Sequence, residues 1–237
     1  MSDVFEVHVP GGGTVSARHY RARTDGAAPS QFFVVLAHGA GAGQQHPFMV
    51  QTASALASRG LDVATFNFPY TEAGRRLPDK PPVLEACYLA VLQTVRDRVG
   101  RQEASIVIGG KSMGGRMATH VAARHAEAAG PLAGIVLLGY PLHPPGRPQQ
   151  LRVAHLPAIA TPTLFVQGSQ DPFGTPDEIR TAMATMRCET RLVVVEGGGH
   201  SFEVKGGRLA STAAVERVYD DVATWVGSTA ASGSGRR

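Results

Sequence analysis

The sequence predicts an α/β fold, a mostly parallel sheet covered on both faces by helices. Two observations predict it. Strand-like and helix-like segments alternate from about residue 31 to about residue 226, the pattern of repeated β-α units. Residues 32–37 form a continuous apolar run rather than an alternating one, which suits a strand buried on both faces. The chain has 237 residues, 43% apolar and 18% charged. That composition is ordinary for a globular chain, and the length suffices to bury a core without disulfide or metal staples.

In chain order, residues 5–9 and 14–20 have strand patterning and flank Pro10-Gly11-Gly12-Gly13, which predicts an antiparallel hairpin. Residues 32–38 are the next strand. A helix follows over about 47–58, where Met49, Ala53, Leu56 and Ala57 recur at helical spacing and Gly60 caps the end. Residues 63–68 are a strand and 83–99 a long amphipathic helix with Leu84, Cys87, Ala90, Val91 and Val95 on one side. A strand over 105–109 leads into a helix over 114–129. Strands at 135–139 and 163–166 are joined by a loop-rich connection. A helix over 176–186, a strand over 191–195 and a helix over 213–226 complete the pattern. The sum is one eight-stranded sheet in a single domain, residues 1–226. The tail from Gly227 is small and polar and is expected to be disordered. In such sheets ligands bind beyond the carboxyl ends of the strands, so the loops after strands should carry the chemistry.

Charge and targeting exclude several classes of function. The net charge is +4, and two of those charges are Arg236 and Arg237 in the tail. With no basic cluster on a helix, a nucleic-acid partner is not expected. Cys87 and Cys188 lie outside any metal-binding spacing and read as reduced, packed thiols. The first thirteen residues hold no apolar core of a signal peptide, and no apolar run is long enough to span a bilayer. A cytoplasmic location without membrane contact is expected.

The segment Ile108-Gly109-Gly110-Lys111-Ser112-Met113-Gly114-Gly115-Arg116 contains a G-x-S-x-G pattern between a strand and a helix. That context lets a sharp turn present the Ser112 hydroxyl at a helix N-terminus, where a developing anion is favoured. Gly-Lys-Ser also ends a phosphate-binding loop, but that motif needs a glycine where Ser105 stands. A hydroxyl needs a general base to act as a nucleophile. His200 follows the last strand in a glycine loop, Gly197-Gly198-Gly199-His200, and is the candidate base. The orienting acid should fall between serine and histidine in the chain. Asp171 does, at the end of the seventh strand. Glu127 sits late in a helix, and Asp177 and Glu178 read as helix-capping residues. Oxyanion donors are expected at the backbone N–H groups of Met113 and Ala40, the latter in the loop His38-Gly39-Ala40-Gly41 after the third strand. His38 is expected to hydrogen-bond and shape that loop.

On these residues the chain resembles the α/β-hydrolase superfamily over nearly its whole length. The stretches 36–43, 109–116, 139–146 and 167–174 are similar to a dienelactone-hydrolase-like bacterial group. That group shares its domain with a subunit of the NSL chromatin complex and with a testis-expressed relative. Ser112 departs from the cysteine nucleophile of a dienelactone hydrolase proper. The resemblance implies the α/β-hydrolase fold and a Ser-His-Asp triad, and it names no substrate.

Lys111 either attracts an acidic substrate or, the favoured reading, pairs with a carboxylate beneath the turn. Arg116 opposes the helix dipole and should have a fixed partner, a protein carboxylate or a substrate anion. Tyr140 and His143 follow the sixth strand and are candidates to line the pocket. Phe173 and Phe202 read as packing residues. The connection 141–162 is too short for the helical lid of a lipase. The expected function is hydrolysis of a small-molecule ester-type substrate through an acyl-enzyme, with no cofactor and no metal. A non-catalytic interaction module on the same scaffold and a serine-dependent acyltransferase are the alternatives.

Overall fold

The computed structural model describes residues 2–23, 30–99 and 104–233. Eight strands form one sheet: β1 (Ser2–Val9), β2 (Gly13–Tyr20), β3 (Phe32–Ala37), β4 (Asp62–Phe66), β5 (Ser105–Lys111), β6 (Gly134–Leu138), β7 (Thr163–Gly168) and β8 (Thr190–Val195). Their order is β1-β2-β4-β3-β5-β6-β7-β8. The β1–β2 hairpin and the β2–β4 pair are antiparallel. All other neighbours are parallel.

The helices are α1 (Pro47–Ala57), α2 (Pro69–Glu72), α3 (Pro81–Val99), α4 (Met113–Arg124), α5 (Ala126–Ala129), α6 (Pro176–Met183) and α7 (Gly207–Gly233). The apolar run of β3 explains how they are divided between two layers. Successive strand side chains point to opposite faces. Phe32, Val34 and Leu36 therefore pack in one core with Met49 and Leu56 of α1 and Val222 and Trp225 of α7. Phe33, Val35 and Ala37 join the other core, with Leu84 and Tyr88 of α3 and Met117 and Val121 of α4. Burying each large apolar side chain contributes roughly 1.5–3 kcal/mol, so a strand that feeds both cores is a strong organiser of the sheet.

The strand order places the site. The chain leaves β3 toward β4 on one side and leaves β5 toward β6 on the other, while β3 and β5 are hydrogen-bonded neighbours. A crevice opens at such a switch point, beyond the carboxyl ends of the two strands. The loop after β3 and the turn after β5 both border it.

Three local expectations need correction. The helix expected over 114–129 is broken at His125, whose φ of −129° and ψ of 30° end α4 before the short α5. Leaving the helix lets His125 Nε2 reach Glu85 Oε2 at 2.9 Å. The strand expected over 63–68 stops at Phe66, because Phe68 takes the cap position of α2 and Pro69 begins it. Residues 227–233, expected to be disordered, continue α7 to Gly233. Extending an existing helix adds a hydrogen bond per residue without the cost of a new nucleus. Ser228 Oγ and Thr229 Oγ1 donate back to the carbonyls of Trp225 and Val226 at 2.7 and 2.8 Å. Residues 234–237 of the expected tail lie outside the described residues.

Candidate active site

Ser112 is the single residue between β5 and α4, at φ 51° and ψ −115°. A non-glycine residue in such a conformation costs roughly 1–3 kcal/mol and persists only where its surroundings enforce it. Here they do. Its N–H still donates to Leu138 O at 3.0 Å, continuing the sheet, and its carbonyl already accepts from Arg116 N at 3.1 Å, opening the helix. A methyl group on Gly110 or on Gly114 would overlap the carbonyl oxygen of Ala37, so β3, β5 and α4 meet where no side chain fits. The Ser112 side chain makes no capping bond to its own helix. The first N–H groups of α4, beginning with Met113, have no intrahelical acceptor.

The loop after β3 lies against this turn. A Cβ on Gly39 would sit 3.5 Å from Ser112 Cβ. Buried His38 donates from Nδ1 to Gly39 O at 2.8 Å, and its Nε2 accepts from Phe68 N at 3.2 Å. Burial pushes the His38 pKa down to about 4, which keeps the ring in the neutral form that this pattern requires. Farther along, Asn67 Oδ1 accepts from Gln44 N at 2.8 Å, and Glu72 Oε1 accepts from Asn67 Nδ2 at 3.0 Å. The loop that carries Ala40 is thus pinned at both ends.

Asp171 follows β7 and its side chain is fully buried. Three donors satisfy it. His200 Nδ1 lies 2.8 Å from Oδ2, Gln167 Nε2 also donates to Oδ2 at 2.8 Å, and Phe173 N donates to Oδ1 at 2.9 Å. A carboxylate so placed fixes the proton of His200 on Nδ1 and leaves Nε2 as the accepting nitrogen. The Phe173 ring packs on the imidazole, with centroids 4.3 Å apart. The turn beyond His200 is tight. Phe202 takes φ 69° and its buried ring packs near Phe48.

Ser112, Met113, Ala40 and His200 line one cavity of about 470 Å³, together with Arg116, Lys111 and Phe173. Asp171 stands behind His200. No hydrogen bond joins Ser112 to His200 among the described residues; both line the cavity.

Three neighbouring expectations come out differently, and that for Arg116 stays open between its two alternatives. Buried Lys111 donates to the backbone carbonyl of His200 at 2.8 Å and has no ion pair among the described residues. Burial pushes its pKa down to about 8, against the opposing pull of the Asp171 and Glu203 charges. Tyr140 does not line the cavity. It is buried, and its hydroxyl donates to Arg152 O at 2.8 Å. His143 is likewise buried away from the cavity, with Nδ1 2.9 Å from Pro144 O and Nε2 3.3 Å from Glu178 Oε1 but outside hydrogen-bond geometry. Arg116 lines the cavity but has no carboxylate partner among the described residues. Glu178 does serve the expected cap, accepting from Thr175 N at 2.8 Å.

A family model described as an alpha/beta hydrolase domain matches residues 30–227. The chain belongs to this family. Solved structures agree on the fold. A dienelactone hydrolase from Anabaena variabilis is 22% identical with a TM-score of 0.73, covering 95% of this chain and 96% of that one. A serine hydrolase homologue from Coxiella burnetii is 18% identical with a TM-score of 0.71, covering 92% and 95%. A lidless serine hydrolase from Xanthomonas campestris is 19% identical with a TM-score of 0.66, covering 96% and 93%. This alpha/beta hydrolase domain also lacks a large lid, since the β6–β7 connection holds only a 3-10 turn at Leu156–Ala158.

Two residues of the site escaped sequence reasoning. Gln167, buried at the end of β7, bonds Asp171 and also accepts from Tyr140 N at 2.9 Å. The signal was available: an amide closing an otherwise apolar, buried strand demands a partner. Arg152, on the cavity wall, comes from the proline-rich connection, where nothing in the local sequence marks it.

Proposed function

We propose that the chain is a serine hydrolase that cleaves carboxylic-ester-type bonds through an acyl-enzyme. The observation that carries this reading is the 2.8 Å bond between a fully buried Asp171 and Nδ1 of His200, which lines one cavity with a serine held in a strained turn. In this reading Ser112 Oγ attacks the carbonyl carbon while His200 Nε2 takes its proton. The Met113 and Ala40 N–H groups bind the oxyanion. The imidazolium then protonates the leaving alcohol, and water repeats the sequence in reverse roles to free the acid. The serine–histidine contact of an unliganded site commonly tightens only with substrate bound. No cofactor enters any step.

The free thiols of Cys87 and Cys188 fit the reducing, cytoplasmic location expected from the sequence. Among the described residues no helix is long and apolar enough to cross a membrane. A cavity of about 470 Å³ suits a small-molecule ester rather than a polymer.

The test is covalent labelling with a fluorophosphonate, alongside turnover of p-nitrophenyl esters of increasing chain length. Labelling and turnover should both be lost in Ser112→Ala. Turnover retained by the alanine variant would refute the mechanism. An unlabelled wild type would favour the interaction-module reading, and ester products formed from added alcohols would indicate acyl transfer.

A further inference from the structure

The cavity beside Ser112 carries two guanidinium groups, neither paired with a carboxylate among the described residues. Arg116, in the first turn of α4, and Arg152, in the β6–β7 connection, both line it. Among the described residues the arginine ion pairs belong to Arg21, Arg59, Arg75, Arg124 and Arg180. Arg116 Nε is buried and has no hydrogen-bond partner. The one side-chain hydrogen bond of Arg152 among the described residues runs from Nη1 to Pro141 O at 3.3 Å.

No carboxylate pairs with either arginine among the described residues. Glu85 accepts from His120 Nδ1 at 2.7 Å and from His125 Nε2 at 2.9 Å, with Arg124 alongside. Asp79, which also lines the cavity, pairs through Oδ1 with Arg75 at 2.7 Å, and its Oδ2 is buried without a hydrogen-bond partner. Burial, and then the neighbouring charge of Arg152, pushes the Arg116 pKa down. The helix N-terminus adds positive potential at the same place. Two like charges at a partly desolvated wall repel one another, and a buried donor left unpaired costs stability. A bound anion removes both costs. The backbone is prepared for one: Arg152 N donates to Leu142 O at 2.8 Å, and Tyr140 Oη donates to Arg152 O at 2.8 Å.

We propose that Arg116 and Arg152 form an anion subsite in the Ser112 cavity, and that the substrate is an ester that carries a carboxylate seated between them. The identity of the reaction rests on the hydrolase reading above; the subsite itself does not.

Monomethyl adipate and dimethyl adipate differ only in one carboxylate and form the probe pair. Calorimetry on Ser112→Ala protein at low salt should show the monoester bound roughly tenfold or more tightly than the diester. Adding Arg116→Gln or Arg152→Gln should bring the two ligands to within about twofold. Arg116→Lys should retain part of the preference, and Arg147→Gln, in the exposed part of the same connection, should keep all of it. Far-UV circular dichroism checks that each variant is folded. Equal binding of the two esters, or a preference that survives both glutamine substitutions, overturns the subsite. Wild-type turnover of the same pair separates the two readings. Arginine-dependent binding without hydrolysis of either ester would leave the subsite standing and remove the hydrolase. Equal kcat/KM on both esters would do the opposite.

Discussion

Lys111 Nζ donates a 2.8 Å hydrogen bond to the backbone carbonyl of His200. The residue before the proposed nucleophile therefore holds the residue proposed as its base. The two segments are 89 positions apart in the chain, and each comes from the end of a different strand. The lysine ties them together at the cavity lining, where a carboxylate partner or a substrate contact was expected. We predict that in that place it acts as a positioning residue, setting where the imidazole stands.

Lys111→Met should accordingly lower kcat more than it raises KM. A displacement of about 1 Å at a reacting group can cost roughly a hundredfold, so a fall of about tenfold to a hundredfold in kcat on p-nitrophenyl butyrate is expected. KM should stay within about twofold. Steady-state kinetics on the folded variant decide it, and a change confined to KM would assign Lys111 to substrate binding instead.

The same lysine makes stability depend on pH. Burial lowers its folded-state pKa from 10.5 to about 8. Below about 8 both folded and unfolded chains carry the proton, and the cost of burying the charge is fully present. Between about 8 and 10.5 the unfolded chain keeps a proton that the folded chain has released, so stability rises with pH. Urea midpoints of the wild type should therefore gain on those of Lys111→Met as pH climbs through this window. Parallel curves for the two proteins would contradict it.

Asp171→Asn should fold and turn over very slowly. Phe173 N still has an oxygen to bond, and Gln167 Nε2, which shares Oδ2 with His200, loses that acceptor but keeps the Gly174 carbonyl at 2.9 Å. The amide NH₂ that replaces the other oxygen faces His200 and favours the wrong imidazole tautomer. A loss of about a thousandfold to ten-thousandfold in kcat is expected, with a melting temperature within a few degrees of the wild type. A variant that keeps most of its activity would remove Asp171 from the mechanism.

How far the sequence revealed this arrangement depends on what each residue obeys. The apolar run over β3 shows its strand identity, because period and continuity are local properties. Ser112 and the loop at Gly39 were legible for a similar reason: close approach of backbones demands glycine at fixed offsets. The burial of Tyr140 and His143 was not legible. Their position after β6 was right, but the direction of a side chain in a loop depends on partners such as the Arg152 carbonyl, which no spacing reveals. Tyr88 is a further case. It was not among the apolar positions read for α3, yet its buried hydroxyl lies 2.8 Å from Val35 O and accepts from Gly109 N at 2.9 Å, between β3 and β5. Only the assembled sheet creates that slot.

Gly114→Ala should damage fold and site together. Its methyl group would overlap the carbonyl of Ala37 at the end of β3, backbone against backbone, and neither can yield by rotating a side chain. Overpacking of this kind costs about 1–3 kcal/mol, or a fall of roughly 4–8 °C in melting temperature for about 2 kcal/mol in a chain of this size. Relief comes from separating α4 from β3, which also moves Ser112 away from Ala40. Calorimetry and ester turnover should both fall, whereas Ser112→Ala should lose turnover alone.

His155 should make the fold sensitive to acid. Its Nε2–H donates to Thr119 Oγ1 at 2.8 Å, and the Thr119 hydroxyl in turn donates to Arg116 O at 2.7 Å. The ring meets His120 edge-on with centroids 4.4 Å apart. Burial, followed by the nearby charges of His120, Arg124 and Arg116, pushes the His155 pKa from 6.5 down to about 3. His120 shifts in the same direction, chiefly through burial and against its bond to Glu85. Between about 3 and 6.5 the unfolded chain binds a proton at His155 that the folded chain refuses, so stability falls as pH drops through that window. Urea midpoints measured at steps from pH 7 to pH 4 should decline for the wild type. His155→Gln keeps a donor for Thr119 but cannot titrate, and its decline should be shallower. Equal slopes in the two proteins would show that His155 takes up its proton equally readily in the folded and unfolded chains and that the Thr119–Arg116 chain does not depend on its neutrality.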